Sequence, residues 1–227
     1  HEMLRKVAER DFGESAAPKI MEAWKRIGDA TGKVPSVHYY FYNLEAACNM
    51  SLYPAENLRT FIHPRRTRNP WVGYHYLEQL LAVGPKYLEK VTKCFAKAAE
   101  EFETGLRLLR EATQLADTDR HKAAVEDEAV ITEAILCILR SQLNYLEFLQ
   151  VLIRENPWQR EQMLDLMRRE VQNTRTLKDL VEKDSRIGYT AWGGRTISPR
   201  ELEKKAVEME LDIKRLEKGP YVRPLNK

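Results

Sequence analysis

Apolar residues recur along most of this chain at steps of three and four, the spacing that lines one face of an α-helix. The clearest run is Leu88, Val91, Phe95, Ala98, Phe102, Leu106 and Leu109. It predicts a helix that starts near Tyr74, breaks at Gly84-Pro85 and continues to about Ala116. Asp117, Thr118 and Asp119 then supply a turn and a cap. A second run, Val130, Ala134, Ile138, Tyr145, Leu149 and Leu152, predicts a helix from about Arg120 to Glu155. Its apolar arc is wide between Ile131 and Leu152, which predicts a central position in a bundle.

Three further helices carry start signals. Ser15 is placed to cap a helix ending near Ala30, with Pro18 in its first turn, Ile20, Trp24 and Ile27 on one face, and Gly32 as its stop. Asn156-Pro157-Trp158-Gln159 combines a cap, a proline at the first helical position and a glutamine three residues after the cap. The helix it opens runs to about Asp184, with Met163, Met167, Val171, Thr174, Leu177 and Val181 inward. Ser198-Pro199-Arg200-Glu201 repeats that signal for a helix to about Glu217, with Leu202, Ala206, Met209, Ile213 and Leu216 inward. The tail from Gly219 holds two prolines and reads as extended. The fold class is therefore all-α: a bundle of about five long antiparallel helices, with one long irregular loop over 33–73. No repeat of the solenoid type is visible.

Within that loop only 55–61 is a candidate short helix. A second irregular segment, 184–197, holds three glycines and a Gly193-Gly194 turn. Long loops inside compact domains are more often functional than accidental.

Composition narrows the classes. With 227 residues, 43% hydrophobic and 31% charged, one domain over 1–227 can bury a core without disulfides or metal. Cys48, Cys94 and Cys137 are odd in number and form no metal pair, so core thiols are expected. A net charge of +3 from 37 basic and 34 acidic residues gives no electrostatic footprint for nucleic acid. No run of ~18 apolar residues crosses a membrane, and no signal peptide is visible, so a soluble chain is expected. Residues 2–10 read as the tail of a helix, which suggests a C-terminal fragment of a larger protein.

Catalytic signatures are lacking. None of His1, His38, His63, His75 and His121 sits three residues after a glutamate, as a di-iron bundle would need. The acidic runs Glu100-Glu101 and Glu126-Asp127-Glu128 fall on outer faces. No phosphate-binding glycine loop or nucleophile elbow appears. No metal or cofactor is expected. Glu45, Glu56, His38 and His63 are the only clustered groups that a free-standing enzyme could use.

The loops offer a different chemistry. The first carries Tyr40, Tyr42, Arg65, Trp71 and Tyr74. The second carries Arg186, Tyr189, Trp192 and Arg195. Aromatic faces stack on sugar rings, and the arginine fork binds hydroxyl, carboxylate or phosphate groups. The same aromatics could instead pin the loops to the bundle.

Two motifs carry a resemblance. One is Asp11-Phe12-Gly13-Glu14-Ser15-Ala16-Ala17-Pro18, continuing to Ala23-Trp24. The other is Asp184-Ser185-Arg186-Ile187-Gly188-Tyr189, preceded by Glu170, Asn173 and Thr174 and followed by the helix at Glu201. Together they resemble the C-terminal helical region of large bacterial glycoside-hydrolase-like proteins, over nearly the whole chain. The stretch 190–195 departs from that pattern. The resemblance implies glycan processing by a parent protein whose carboxylate pair lies on a separate catalytic barrel. It implies no catalytic residue here. The expected role is an accessory domain whose partners are that catalytic domain or carbohydrate. The alternative is a structural or protein-interaction bundle without a small-molecule ligand.

Overall fold

A computed structural model describes residues 2–34, 51–52, 85–154, 159–188 and 197–219. These residues are all-helical, with six helices and no strand among them. The helices are α1 (Glu2–Phe12), α2 (Ala17–Lys33), α3 (Pro85–Leu115), α4 (Asp119–Arg154), α5 (Gln159–Lys183) and α6 (Pro199–Glu217). No described helix is long and apolar enough to cross a membrane. The expected short helix at 55–61, the cap at Asn156 and the tail beyond Gly219 lie outside the described residues.

The chain divides into two compact units. The first takes residues 1–35 and 93–139, and the second takes 36–92 and 140–227. Helices α3 and α4 each contribute a segment to both.

In the first unit, the expected stripe of α2 packs on α3 and α4. Ile20 is fully buried, and Trp24 and Ile27 lie half-buried against a core of Ala8, Phe12, Leu108, Leu109, Ala112 and Val125. The Phe12 ring meets Trp24 edge-on at 5.7 Å. Trp24 donates its indole N–H to Glu128 at 3.0 Å. Gly105 lets α2 come close: a Cβ there would lie 2.8 Å from Ile27 Cγ1.

Two expectations at α2 fail. Ser15 does not cap the helix. Residue Ala16 holds the N-cap position in helical geometry with no side-chain bond. The reason is the tight handover from α1, in which Ala17 N–H donates to the Gly13 carbonyl and Gly13 N–H to the Glu9 carbonyl. Backbone acceptors do the work a cap would do. Nor does Gly32 stop the helix, which runs through to Lys33. No positive φ is imposed there, so the glycine is simply a helical residue.

In the second unit, α5 and α6 pair antiparallel. Three ion pairs run in opposite sense along the two helices: Arg168–Glu217 at 2.6 Å, Arg175–Glu210 at 2.6 Å and Lys178–Glu203 at 3.2 Å. Every inward residue expected on these two helices is buried. Ser198 caps α6 as expected, its hydroxyl accepting from Glu201 N–H at 3.3 Å. On α3 the whole expected stripe is buried. On α4 it is less regular: Ala134, Tyr145, Leu149 and Leu152 are buried, whereas Val130 and Ile138 are only half-buried.

Candidate functional site

The turn after α5 is the candidate site's described part. Asp184 N–H closes the helix on the Leu180 carbonyl at 3.0 Å. The Asp184 carboxylate then accepts from three donors of Arg186: the backbone N–H at 2.9 Å, Nε at 2.9 Å to each oxygen and Nη2 at 2.6 Å. Those bonds hold the carboxyl below the usual aspartate range, the side-chain bond from the guanidinium first and the backbone N–H second. Ile187 N–H bonds back to the Asp184 carbonyl at 3.2 Å, and its side chain is buried. Gly188 follows at φ +94°, and its carbonyl accepts from Ile197 N–H at 3.2 Å.

Each residue of Asp184-Ser185-Arg186-Ile187-Gly188, Ser185 excepted, thus has a structural task. The aspartate organises the turn, the arginine neutralises it, the isoleucine anchors it, and the glycine supplies a left-handed backbone. The bond between Gly188 and Ile197 joins the two described residues that flank 189–196 in sequence. Tyr189, Trp192 and Arg195 belong to that segment and lie outside the described residues. So do Tyr40, Tyr42, Arg65, Trp71 and Tyr74, and the enzyme candidates His38, Glu45, Glu56 and His63. Of the expected ligand-binding residues only Arg186 is placed. It is exposed, and its guanidinium is engaged by Asp184.

The first motif is built the same way. Gly13 ends α1 at φ +94°, with the Asp117 carboxylate and His121 Nδ1 resting where a side chain would be. Phe12, Ala16, Ala17 and Ala23 are buried in the first core. Both motifs therefore mark helix-ending turns, the first covered by the distant Asp117 and His121 and the second by Ile197 nine residues on.

A third feature escaped the sequence reading. Glu170, Asn173 and Thr174, which precede the second motif, are buried with Ser141, Asn144 and Lys205. Glu170 is 1% exposed and forms an ion pair with Lys205, itself 3% exposed. Ser141 Oγ donates to Oε1 at 2.7 Å and Asn144 Nδ2 to Oε2 at 2.8 Å. Thr174 Oγ1 lies at 3.4 Å, and Asn173 Nδ2 bonds Ser141 Oγ at 3.0 Å. A carboxylate with this many donors is fully satisfied, so it is a tie between α4, α5 and α6 and not a reactive group. The signal for it was available: residue 205 falls on the inward face of α6 between Leu202 and Met209.

Other groups have modest roles. The acidic runs are not purely outer features. Glu101 is half-buried and takes Lys33 at 3.1 Å and Arg26 at 3.3 Å, and Glu128 holds Trp24. Cys137 is buried and Cys94 half-buried; Cys48 is outside the described residues. Among the described residues no three His, Cys, Asp or Glu side chains gather as metal ligands. An open groove on α1 and α2 is lined by Glu2, Arg5, Glu9, Glu14 and Met21. Arg5 pairs with Glu9 at 3.5 Å and Lys6 with Glu2 at 3.2 Å, so two of its three acids are paired within α1.

Compared with known proteins, the chain matches no family model, no curated protein and no solved structure.

Proposed function

We propose that the chain is a helical accessory domain of a carbohydrate-active, glycoside-hydrolase-like protein. It is a bundle of about five long antiparallel helices whose irregular segments, 33–73 and 184–197, support or complete a glycan site. It carries no catalytic carboxylate pair of its own. The observation behind this reading is the Gly188–Ile197 bond, whose two residues flank Tyr189, Trp192 and Arg195 in sequence. Aromatic faces beside arginine suit stacking on sugar rings and binding of their hydroxyl or carboxylate groups. Arg186 at its base is pre-set by Asp184.

Titration of neutral and acidic oligosaccharides, followed by tryptophan fluorescence, tests the proposal. The expected result is a saturable change that disappears when Trp71 and Trp192 are both replaced by phenylalanine. No response to any oligosaccharide, or a response unchanged in that double variant, sinks it.

A second reading, a protein-interaction bundle, draws on Val207 and Leu211. They lie one turn apart on α6, 44% and 48% exposed, beside the surface pair Lys204–Glu208. Concentration-dependent sedimentation that is abolished by Val207→Lys with Leu211→Lys, without any glycan response, selects this reading instead.

A further inference from the structure

The outermost stripe of α6 carries no acid. Steps of four and three along the face opposite the buried Leu202, Met209 and Leu216 meet Arg200, Lys204, Val207, Leu211, Lys214 and Lys218. All six are exposed, over about 27 Å of helix. The two apolar residues stand in the middle, with two cations toward each end.

The acids of α6 are placed elsewhere. Glu203, Glu210 and Glu217 reach across to Lys178, Arg175 and Arg168 of α5. Asp212 is buried. Lys204 meets Glu208 at 3.7 Å on the edge of the stripe, a surface pair that water largely screens. Among the described residues no acid pairs with Arg200, Lys214 or Lys218.

We infer that this stripe is a docking surface for an acidic amphipathic helix. Steps of four and three are the spacing along which one helix packs on another, and the flanking charges choose the partner. The complementary helix has apolar residues at the centre of its own stripe and carboxylates toward each end. A second copy of this chain lacks them. Antiparallel pairing centred on Val207 and Leu211 sets Lys204 against Lys214 and Arg200 against Lys218. A membrane surface calls for a broader apolar face with aromatic residues. A phosphate backbone calls for cations where Val207 and Leu211 stand. The stripe lies outside 33–73 and 184–197, so the inference goes beyond the glycan reading and does not rest on it.

The test uses the whole chain and a labelled synthetic helix whose stripe carries two glutamates, two leucines and two glutamates at the same spacing. Fluorescence anisotropy at about 0.15 M salt measures binding. The patterned helix is expected to bind, and a helix of the same composition with the stripe scrambled to bind more weakly. Val207→Lys with Leu211→Lys adds positive charge, so attraction by charge alone would tighten binding. The docking surface requires the opposite, a loss of about tenfold or more. Lys204→Glu with Lys214→Glu is expected to lose the acidic helix and to gain its counterpart with lysines in place of glutamates. The oligosaccharide response is expected to stay unchanged in both variants, which separates this surface from the glycan reading. No binding of the patterned helix overturns the inference. So does equal binding of the scrambled helix, or unchanged or tighter binding in Val207→Lys with Leu211→Lys. Tighter binding of phosphatidylserine vesicles or of duplex DNA overturns it in favour of those surfaces, and self-association through Val207 and Leu211 in favour of a second copy. Should a variant lose its helical circular dichroism, the natural chain's order of preference among these probes decides.

Discussion

The carbonyl oxygen of Ile197 occupies the space that a side chain on residue 188 would need: a Cβ built on Gly188 lies 2.3 Å from it. The obstacle is backbone, so it cannot swing aside. The φ of +94° adds a second objection to any L side chain. Gly188→Ala is expected to destabilise the second unit by about 1–3 kcal/mol, the usual cost of a forced backbone conformation. Urea unfolding at neutral pH measures it. Gly13→Ala carries the same φ penalty, but its nearest obstacle is the Asp117 carboxylate, a side chain that can rotate away. It should cost less. Equal losses at both positions would show that φ alone, and not the Ile197 carbonyl, sets the requirement at Gly188.

Breaking the buried ion pair on one side should be far more damaging than removing both partners. Lys205→Met leaves the Glu170 carboxylate buried with the neutral donors Ser141, Asn144 and Thr174 beside it. An uncompensated buried charge costs roughly 3–5 kcal/mol. Ser141→Ala removes one donor of the same carboxylate and also the acceptor for Asn173, at about 1–3 kcal/mol. Thermal unfolding of the two single variants tests the order. A Lys205→Met loss smaller than that of Ser141→Ala would contradict the assignment of Lys205 as the principal counter-charge.

The helices themselves were legible because burial obeys a period. On α5 and α6 every residue assigned to the inner face is buried, and the α3 stripe is buried along its whole length. What the pattern could not supply is pairing over distance. Glu170 was visible only as a neighbour of the second motif, and Lys205 as one more charged residue on a helix. Their connection spans 35 positions and depends on how two helices meet. The Ser15 cap failed for a related reason: the chain before α2 is itself a helix end, which satisfies the N–H groups from the backbone. Of the candidate site, Arg186 alone is placed, and the turn that holds it explains why glycine follows. The motif residues proved to be turn builders, so they speak to scaffold before ligand.

Acid should weaken the fold through half-buried surface carboxylates held by cations. Lys33 and then Arg26 keep Glu101 below the usual range, and Lys19 and then Arg107 do the same for Glu111. The folded state therefore favours the ionised form of each. Their contribution is fully present above the unfolded pKa of about 4.3 and disappears as pH falls through the lower folded values. Lys178 has the opposite sign. Its bond to Glu203 raises its pKa, so its contribution persists below about 10.4 and fades as pH rises through the folded value. Stability should be flat from roughly pH 5 to 10 and fall on either side. These pairs lie at the surface, so 1 M salt should flatten the acid limb. An acid limb unchanged by salt, and unchanged in Glu101→Gln with Glu111→Gln, would place the acid sensitivity elsewhere.

Gly105 sets two effects against each other. It lies inside α3, where alanine is favoured over glycine by about 0.8–1.0 kcal/mol. Yet a Cβ there would sit 2.8 Å from Ile27 Cγ1 and 3.2 Å from its Cδ1, and overpacking costs typically ~1–3 kcal/mol. The Cγ1 atom is close to the α2 backbone and has little room to retreat. Gly105→Ala should therefore destabilise the natural chain, by about 1 kcal/mol after the helix gain is subtracted. In an Ile27→Ala background the obstacle is gone, and the Ala23 carbonyl at 3.5 Å is an ordinary contact. There Gly105→Ala should stabilise. The difference between the two backgrounds is the coupling energy of a double-mutant cycle, and its sign reversal is the test. Destabilisation of equal size in both backgrounds would mean that α2 does not rest on Gly105 through Ile27.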